Sequence, residues 1–253
     1  MWAKDRHHRI VSLLDTREQV SLENLADEFG VSRETLRRDI VKLEAEGRLK
    51  RVHGGFMRAD GAEPPFQSRV SANAEAKRRI GAAAARLIEP GMLVAVDAGS
   101  TTLVFAEFLS SVPGLTVITN SLGIAGALRE RGSDAEVILL GGRLGLDVPG
   151  TYGEVALAQL QRFTPQIAFF SPVAVDASKG TTNFDLAEAE VARVLAESAE
   201  RLVVLADHTK LGGTSRVQIC ACDQIDILVT DRKATQASTD ALRAAGLREL
   251  IRA

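Results

Sequence analysis

The chain has 253 residues, of which 45% are hydrophobic and 25% charged, and its formal net charge is −2. This length fits one large domain with a small one, or two domains of medium size, and the composition is that of an ordinary globular protein. It excludes a disordered chain and a small scaffold held by disulfides, and the overall charge gives no indication of a nucleic-acid partner.

The cysteines and the apolar stretches indicate neither a metal site nor a membrane segment. Cys220 and Cys222 lie in an apolar run without a second Cys/His cluster nearby, so we expect buried small side chains rather than metal ligands. The charged N-terminus leads into no signal-peptide core. The uncharged stretch 108–128 is long enough for a bilayer, but it contains Pro113-Gly114 and Thr119-Asn120-Ser121, which are typical of loops. We therefore expect a cytoplasmic protein.

The charge is unevenly distributed along the chain. Residues 1–58 carry 12 Lys/Arg and 10 Asp/Glu, whereas the remainder carries 19 and 23. Within the first part, residues 1–30 have 4 basic and 6 acidic side chains, and residues 31–58 have 8 and 4. The basic excess falls where a contact to DNA phosphates would need it. A solvated helix face would explain the same count, so the charge alone does not decide.

The hydrophobic pattern of the N-terminal part predicts three short helices, over residues 4–15, 22–29 and 33–46. Ser21 and Ser32 are suitable N-caps for the second and third helices. Gly30 tolerates the positive φ that a tight turn between these helices requires. The small side chain of Ala26 permits the two helices to approach closely, and Leu36 packs the later helix against the earlier one. The spacing of Ala26, Gly30 and Leu36 is typical of a helix-turn-helix.

The third helix is the predicted recognition helix, and a wing follows it. Its candidate DNA-contacting residues are polar or basic, namely Ser32, Arg33, Glu34, Thr35, Arg37, Arg38 and Lys42. Arginine both reads guanine and binds phosphate, and the sequence does not assign which arginine does which. Residues 49–56 are predicted to form two short strands around a Gly-Gly turn, which would place Lys50, Arg51 and His53 against the DNA backbone or the minor groove. His53 lacks the partners that a catalytic or metal-binding histidine needs.

These residues resemble the winged helix of DeoR-family bacterial transcription regulators. The resemblance rests on two stretches, Ser32-Arg-Glu-Thr-Leu-Arg-Arg-Asp39 and the spacing of Leu43, Gly47, Leu49, Arg51 and His53-Gly-Gly55. A helix-turn-helix pattern without the wing would be a much weaker match.

The polar, proline-bearing stretch 58–65 marks the predicted domain boundary. We expect a winged helix-turn-helix domain over residues 1–58, a linker over 59–71 and an α/β effector-sensing domain over 72–253. The larger domain is predicted to begin with a helix over residues 72–88, and Lys77, Arg78 and Arg79 are expected on its exposed side. These three basic residues could touch DNA, but a solvated face is the better interpretation.

Short apolar strands then alternate with amphipathic helices. The predicted strands cover residues 93–96, 116–119, 136–140, 167–170, 202–206, 227–230 and 248–251. The predicted helices cover residues 102–109, 122–131, 155–163, 186–199 and 239–245. This alternation indicates an α/β fold with a mostly parallel sheet covered by helices on both faces.

Polar residues stand at the carboxyl ends of several predicted strands, where ligands of such sheets bind. The first strand is followed by Asp97-Ala-Gly-Ser-Thr-Thr102, in which the glycine, the hydroxyls and a helix N-terminus form a phosphate cradle. Such a turn can also merely cap a helix. The candidate effector-binding residues are Asp97, Gly99, Ser100, Thr101, Thr102, Asn120, Ser121, Gly141, Gly142, Asp207 and Lys210. Together these groups suit a small phosphorylated polyol, and neither a Walker A nor a dinucleotide motif occurs in the sequence, so no cofactor is expected.

This part of the chain resembles the C-terminal sensor domain of the DeoR family. The matching stretches are Asp97–Thr102, Thr119–Ser121, Gly141-Gly142, Gly180-Thr181, Glu188–Val191, Ala206–Lys210 and Thr230-Asp231. The resemblance implies a fold like that of ribose-5-phosphate isomerase and the coenzyme A transferases, with a sugar phosphate as effector. Phe170-Ser-Pro-Val-Ala174 stands where the family has glycines, so one wall of the cleft is expected to differ.

We therefore predict a DNA-binding repressor of a carbohydrate-utilisation operon, released from double-stranded operator DNA by a phosphorylated sugar. Proteins of this kind bind repeated half-sites as a homo-oligomer, here a dimer or tetramer. The alternative is a sugar-phosphate isomerase-like enzyme with an accessory DNA-binding module, in which Asp97, Asp207 and Lys210 would do acid–base chemistry. Because no carboxylate–histidine or metal constellation stands out in the sequence, we expect no enzymatic activity and no metal.

Overall fold

The computed structural model of the chain describes residues 2–16, 19–45, 47–52, 54–58 and 63–253. The chain divides into two compact units, Met1–Arg69 and Val70–Ala253, and a short helix, α4 (Phe66–Ser71), spans the boundary between them. No helix within these described ranges is long and apolar enough to cross a membrane.

Before α4, the described residues of the first unit form three helices and a two-stranded antiparallel sheet. Its elements are α1 (Ala3–Thr16), α2 (Leu22–Phe29), α3 (Arg33–Ala45), β1 (Leu49–Val52) and β2 (Gly55–Arg58). The Ser21 hydroxyl accepts a hydrogen bond from the backbone N–H of Asn24 at the start of α2, and Gly30 has a φ of 62° in the turn that follows. The predicted three helices and the two strands of the wing are thus confirmed.

One small apolar core holds these elements together. Leu36, Ile40 and Leu43 of α3 are fully buried, and they pack with residues of α1 and α2 such as Ile10 and Leu25. The spacing of 36, 40 and 43 places one apolar stripe of α3 on the core and leaves its opposite face outward.

The second unit is built on one parallel sheet. Its seven strands are β3 (Leu93–Val96), β4 (Thr116–Thr119), β5 (Glu136–Leu139), β8 (Ile167–Phe170), β11 (Leu202–Leu205), β13 (Ile227–Thr230) and β14 (Glu249–Arg252). They lie in the order β14-β13-β11-β8-β3-β4-β5, and every neighbouring pair is parallel. All seven correspond to predicted strands, so the predicted α/β fold class is confirmed.

Helices cover both faces of this sheet. They are α5 (Ala74–Ala85), α6 (Ser100–Leu109), α7 (Leu122–Glu130), α8 (Glu154–Leu160), α9 (Leu186–Ser198) and α10 (Gln236–Ala244). Successive strand residues contribute to two separate buried clusters, with Ala95 and Val204 in one and Val94 and Val203 in the other. This alternation follows from the period of two in a β-strand, and it explains why the inner strands β3, β8 and β11 are apolar throughout.

Five further strands were not predicted. β6 (Arg143–Leu144) pairs with β7 (Thr151–Tyr152), and β9 (Ala174–Asp176), β10 (Gly180–Asn183) and β12 (Val217–Cys220) form a three-stranded antiparallel sheet. The residues of β10 are buried although its sequence is Gly-Thr-Thr-Asn. A buried strand of polar residues gives no apolar run, so the hydrophobic pattern does not reveal it.

The predicted helix over residues 72–88 is shorter in the structure. Asn73 has a φ of 52°, a left-handed conformation that separates α4 from α5. Asparagine tolerates this conformation better than most residues. The predicted linker over 59–71 therefore contains a helix of six residues at its end.

The two cysteines are both free thiols in the interior of the second unit. Cys220 lies beside the Thr181 hydroxyl, with the sulfur 3.1 Å from Oγ1. Burial raises the pKa of the Cys220 thiol to about 11, which leaves it protonated and unreactive. The prediction of buried small side chains is confirmed.

Candidate DNA interface and candidate effector site

The outward face of α3 carries the side chains predicted to contact DNA. Those exposed are Ser32, Arg33, Glu34, Arg37, Arg38 and Lys42, while Thr35 is half-buried. The Ser32 hydroxyl accepts a hydrogen bond from the backbone N–H of Thr35 at 3.2 Å, so Ser32 caps the helix at the end that would enter a major groove. The helix therefore presents a basic surface opposite its apolar stripe.

Two of these arginines form exposed ion pairs. Arg33 Nη1 lies 3.6 Å from Glu23 Oε1, and Arg38 Nε lies 3.5 Å from Glu34 Oε1. Exposed pairs of this kind contribute about 0–1 kcal/mol, so DNA phosphates can compete for the same guanidinium groups. Arg37, in contrast, forms no ion pair with any residue that the structure describes.

The wing is joined to the end of the recognition helix. Arg51 Nε donates to Glu44 Oε2 at 3.0 Å, and its guanidinium carbon lies 5.8 Å from the centroid of the Phe56 ring. Lys50 lies next to it on β1 and is half-buried. His53, the third wing residue predicted to contact DNA, lies outside the described residues.

The candidate phosphate cradle lies between β3 and α6. Gly99 is extended and precedes the first residue of α6, Ser100, and the helix begins without a side-chain cap. A Cβ at position 99 would lie 2.9 Å from Thr102 Oγ1 and 3.6 Å from Ser171 Cβ. The loop therefore lies against Ser171, the residue that follows β8, the neighbour of β3 in the sheet. The first backbone N–H groups of a helix have no intrahelical acceptor, and this loop holds them at the carboxyl edge of the sheet.

Lys77 is part of this site, and the prediction that it lies on an exposed face was wrong. Its side chain is 3% exposed, and its Nζ donates to Ser100 Oγ at 3.2 Å. Lys77 shares the inward face of α5 with Ile80, Gly81 and Ala84, a spacing of three, four and seven residues. That spacing was the signal in the sequence that could have found it. Arg78 and Arg79 are exposed, as predicted.

Lys210 reaches the same region from another strand end. Its Nζ donates to Ser171 Oγ at 2.9 Å and to the carbonyl oxygen of Pro172 at 2.6 Å. The backbone N–H of Ser171 in turn donates to Asp97 Oδ2 at 3.4 Å. Ser171 and Pro172 belong to the stretch in which the sequence departs from the family pattern, and this stretch forms the wall between Lys210 and Asp97.

Asp97 is a buried carboxyl with an unusual pKa. Burial raises the pKa of Asp97 to about 7, although the N–H of Ser171, the hydroxyl of Thr102 and the charge of Lys210 act in the opposite direction. Its Oδ1 and the Thr101 hydroxyl are buried polar atoms without a hydrogen-bond partner among the described residues. Buried polar groups are nearly always paired, so these two atoms are exceptions at this loop.

Asn120 connects the loop after β3 to the strand β7 through side-chain hydrogen bonds. Its Oδ1 accepts from the backbone N–H of Ala98 at 2.9 Å, and its Nδ2 donates to the carbonyl oxygen of Thr151 at 3.1 Å. The neighbouring Ser121 caps α7 by accepting from the N–H of Ile124 at 3.2 Å. Both side chains therefore fix the shape of the loop edge through their own hydrogen bonds.

Gly141, Gly142 and Asp207 lie in loops that support the same edge. The N–H of Gly141 donates to Gln159 Oε1 at 2.7 Å, and a Cβ on Gly142 would lie 2.6 Å from the carbonyl oxygen of Tyr152. The Asp207 carboxylate accepts from the N–H of Thr209 at 3.0 Å and so caps the short 3-10 helix that carries Lys210. The structure thus brings four predicted residues together, namely Asp97, Gly99, Ser100 and Lys210. Lys77 and Ser171, which were not among the predicted site residues, lie with them. Most of the remaining candidates form the surrounding loops.

Comparison with known proteins relates both units to one family. Residues 6–61 match the DeoR-like helix-turn-helix domain, and residues 72–232 match the DeoR C terminal sensor domain. The HTH-type transcriptional regulator GolR of Listeria innocua is 32% identical over 249 residues, which cover 98% of each chain. The glycerol-3-phosphate regulon repressor of Escherichia coli is 29% identical over 227 residues, 89% of this chain and 90% of that one. Among solved structures, ribose 5-phosphate isomerase A of Methanocaldococcus jannaschii is similar over 55% of each chain, with 16% identity and a TM-score of 0.40.

Proposed function

The chain belongs to the DeoR family of DNA-binding transcriptional regulators, and we propose that it represses a carbohydrate-utilisation operon and leaves its operator when a phosphorylated sugar or polyol binds. In this proposal residues 1–58 bind DNA, residues 59–71 connect the two parts and residues 72–253 sense the effector. The repressor acts as a homo-oligomer, because helix-turn-helix proteins bind two half-sites related by symmetry.

The observation that carries the effector proposal is the pair of lysines at the α6 N-terminus. Lys77 is buried and donates to Ser100, and Lys210 reaches the same loop through Ser171. A phosphate at the N-terminus of α6 would lie beside the amino group that Lys77 directs at Ser100. It would also accept hydrogen bonds from the first backbone N–H groups of α6, where the helix dipole favours negative charge.

The rest of the ligand is proposed to be a polyol. Asp97 Oδ1 and Thr101 Oγ1 are the unpaired atoms at this site, and both are suited to hydroxyl groups. The name of the Escherichia coli relative refers to a regulon of glycerol 3-phosphate, which is itself a phosphorylated polyol. This supports the ligand class without selecting a particular sugar.

The DNA contacts are assigned to the recognition helix and the wing. The proposed residues are Ser32, Arg33, Glu34, Thr35, Arg37, Arg38, Lys42, Lys50, Arg51 and His53. The effector would release DNA by binding more tightly to the arrangement of the oligomer that does not fit the operator. A difference of about 3 kcal/mol would lower operator occupancy roughly hundredfold.

We further propose that the site binds its ligand without converting it. Relatives over the whole length are transcriptional regulators. Of the residues that acid–base chemistry would require, Asp207 is occupied by hydrogen bonds from Thr209 that shape its own loop. Asp97 and Lys210 would then bind the effector rather than transfer its protons.

An electrophoretic mobility shift with the DNA upstream of the chain's own gene tests the proposal. We expect a retarded band that disappears when one member of a panel of sugar and polyol phosphates is added, with no loss of that compound over hours. If no fragment is retarded and a sugar phosphate is consumed, the chain is an enzyme and the repressor proposal fails. A retarded band that no phosphorylated compound affects would retain DNA binding and refute the effector class.

A further inference from the structure

Three charged or polar side chains meet inside the first unit, between α1 and the recognition helix α3. Asp39 Oδ2 accepts from Arg6 Nε at 2.6 Å, and Oδ1 accepts from Arg6 Nη2 at 3.1 Å. His7 Nε2 lies 2.8 Å from Oδ1. Arg6, His7 and Asp39 are each less than 10% exposed. We call these three residues the α1–α3 clamp.

The carboxyl group of Asp39 is ionised under ordinary conditions. Burial by itself would raise the pKa of Asp39, but the hydrogen bonds from Arg6 and His7 and their positive charge outweigh it, so the pKa lies below the usual 3.8. The contact between Arg6 and Asp39 is bidentate, which fixes both the distance and the angle between the two groups.

Such a buried ion pair is a poor means of stabilising a small unit. Replacing a buried pair with apolar side chains of similar volume is often neutral or stabilising, because removing two charges from water is costly. The apolar core around the clamp already holds α3 through Leu36, Ile40 and Leu43. Apolar contacts are non-directional, so what the clamp adds is orientation.

The orientation of α3 determines where the exposed side chains on its outward face lie. Arg37 and Arg38 immediately precede Asp39 and are exposed. A rotation of α3 by about 20° would displace atoms about 6 Å from its axis by roughly 2 Å, given the dimensions of a helix. Hydrogen bonds to base edges do not survive such a displacement, whereas contacts to phosphates tolerate it better.

We propose that Arg6, His7 and Asp39 are positioning residues that fix the rotation of the recognition helix and thereby set discrimination between DNA sequences rather than general affinity for DNA. This inference rests on the DNA-binding function of the first unit. It differs from a purely structural role, which would change stability and affinity for all DNA alike.

The test compares the full-length chain with two variants of the clamp. R6M/D39L replaces the ion pair with apolar side chains, and Arg6→Lys keeps the positive charge but removes the bidentate contact. Glu23→Gln is the matched control, because it breaks the exposed ion pair that Glu23 forms with Arg33 of the same recognition helix. Each protein is measured by thermal melting and by fluorescence anisotropy at several salt concentrations. The two DNA probes are a duplex that the wild type selects from a random-sequence pool and an unselected duplex of equal length.

We expect R6M/D39L to stay folded, with a melting temperature below that of the wild type because buried His7 loses its partner Asp39, and to bind the unselected duplex with unchanged affinity and salt dependence. Its preference for the selected duplex should fall at least tenfold, and Arg6→Lys should lose preference in the same direction, whereas Glu23→Gln should keep it. A folded R6M/D39L or Arg6→Lys variant with wild-type preference would overturn the proposal. If the wild type selects no duplex at all, the DNA-binding function itself fails, which is a distinct outcome.

Discussion

The Nζ of Lys77 lies 3.2 Å from the Oγ of Ser100, so α5 and the start of α6 place an amino group and a hydroxyl group side by side. The two residues are separated by a strand and two turns in the chain, and the packing of α5 against α6 brings them together. Because Lys77 is buried, its amino group is shielded from bulk water and held at the first residue of α6.

Replacing Lys77 is expected to abolish most of the response to the effector. Lys77→Met keeps the apolar stem and removes the ammonium group, and we expect ligand affinity to fall about 10- to 100-fold, since hydrogen bonds to charged groups contribute about 1.5–3 kcal/mol. Calorimetric titration with the sugar phosphate that releases the wild type from DNA measures this. Arg78→Met, at an exposed position on the same helix, should bind normally, and equal affinities in all three proteins would remove Lys77 from the site.

A negative charge at the start of α6 is expected to give a repressor that cannot be induced. Ser100→Glu would place a carboxylate where the phosphate should lie, next to Lys77, so the protein should bind operator and remain bound at effector concentrations that release the wild type. Ser111→Glu, beyond the other end of the helix, serves as the control. Normal induction of Ser100→Glu in a reporter assay would place the phosphate elsewhere.

The buried carboxyl of Asp97 is expected to make stability depend on pH. Its pKa is raised from 3.8 to about 7 in the folded chain, so the folded state retains a proton that the unfolded state has released. The resulting stabilisation is complete below pH 4, decreases by about 1.4 kcal/mol per pH unit as the pH rises towards 7, and is lost above it.

Denaturant unfolding between pH 5 and 8.5 measures this dependence. Asp97→Asn removes the titrating group, so its stability should vary much less over the same range and should exceed that of the wild type at pH 8. Asp240→Asn, at an exposed position of α10, should follow the wild-type profile. A wild-type curve that rises with pH through this interval would contradict a raised pKa.

The exposed arginines of the recognition helix are expected to contribute separately to operator binding. Arg37→Ala and Arg38→Ala should each weaken operator binding while leaving effector binding unchanged, because the two sites lie in different units. If the arginine contacts a base, its loss should cost about 1–3 kcal/mol of binding free energy and relax the sequence preference. If it contacts a phosphate, its loss should reduce the slope of log affinity against log salt concentration by about one. Arg243→Ala in the second unit is the control. Unchanged operator affinity in both α3 variants would remove this helix from the DNA.

Much of the fold followed from local patterns in the sequence. The inner strands β3, β8 and β11 are apolar throughout because both of their faces are covered, and the limits of all seven strands of the parallel sheet were predicted to within one residue. Ser32 and Gly30 identified the turn of the helix-turn-helix because capping and positive φ depend on neighbouring residues only. The antiparallel strand β10 was missed because its burial comes from packing between other elements and its own side chains are polar.

The candidate site was predicted only in part, for the same reason. Polar residues at strand ends identified Asp97, Ser100 and Lys210, since the carboxyl ends of parallel strands meet at one edge. The sequence predicts the wrong face for Lys77, because three consecutive basic residues resemble a solvated surface. Ser171 stands out in the sequence only as part of a departure from the family pattern, although its hydroxyl accepts a hydrogen bond from Lys210.

By itself the sequence determined the family, the two-part organisation, the α/β fold class and the strand ends at which polar groups gather, because these depend on periodicity, capping and short motifs. Only the tertiary structure decided which distant side chains meet. The contacts of Lys77 with Ser100 and of Arg6 with Asp39 join residues 23 and 33 positions apart. Whether a charged side chain is buried against a partner or exposed to water depends on the packing of whole helices, which the local sequence does not encode.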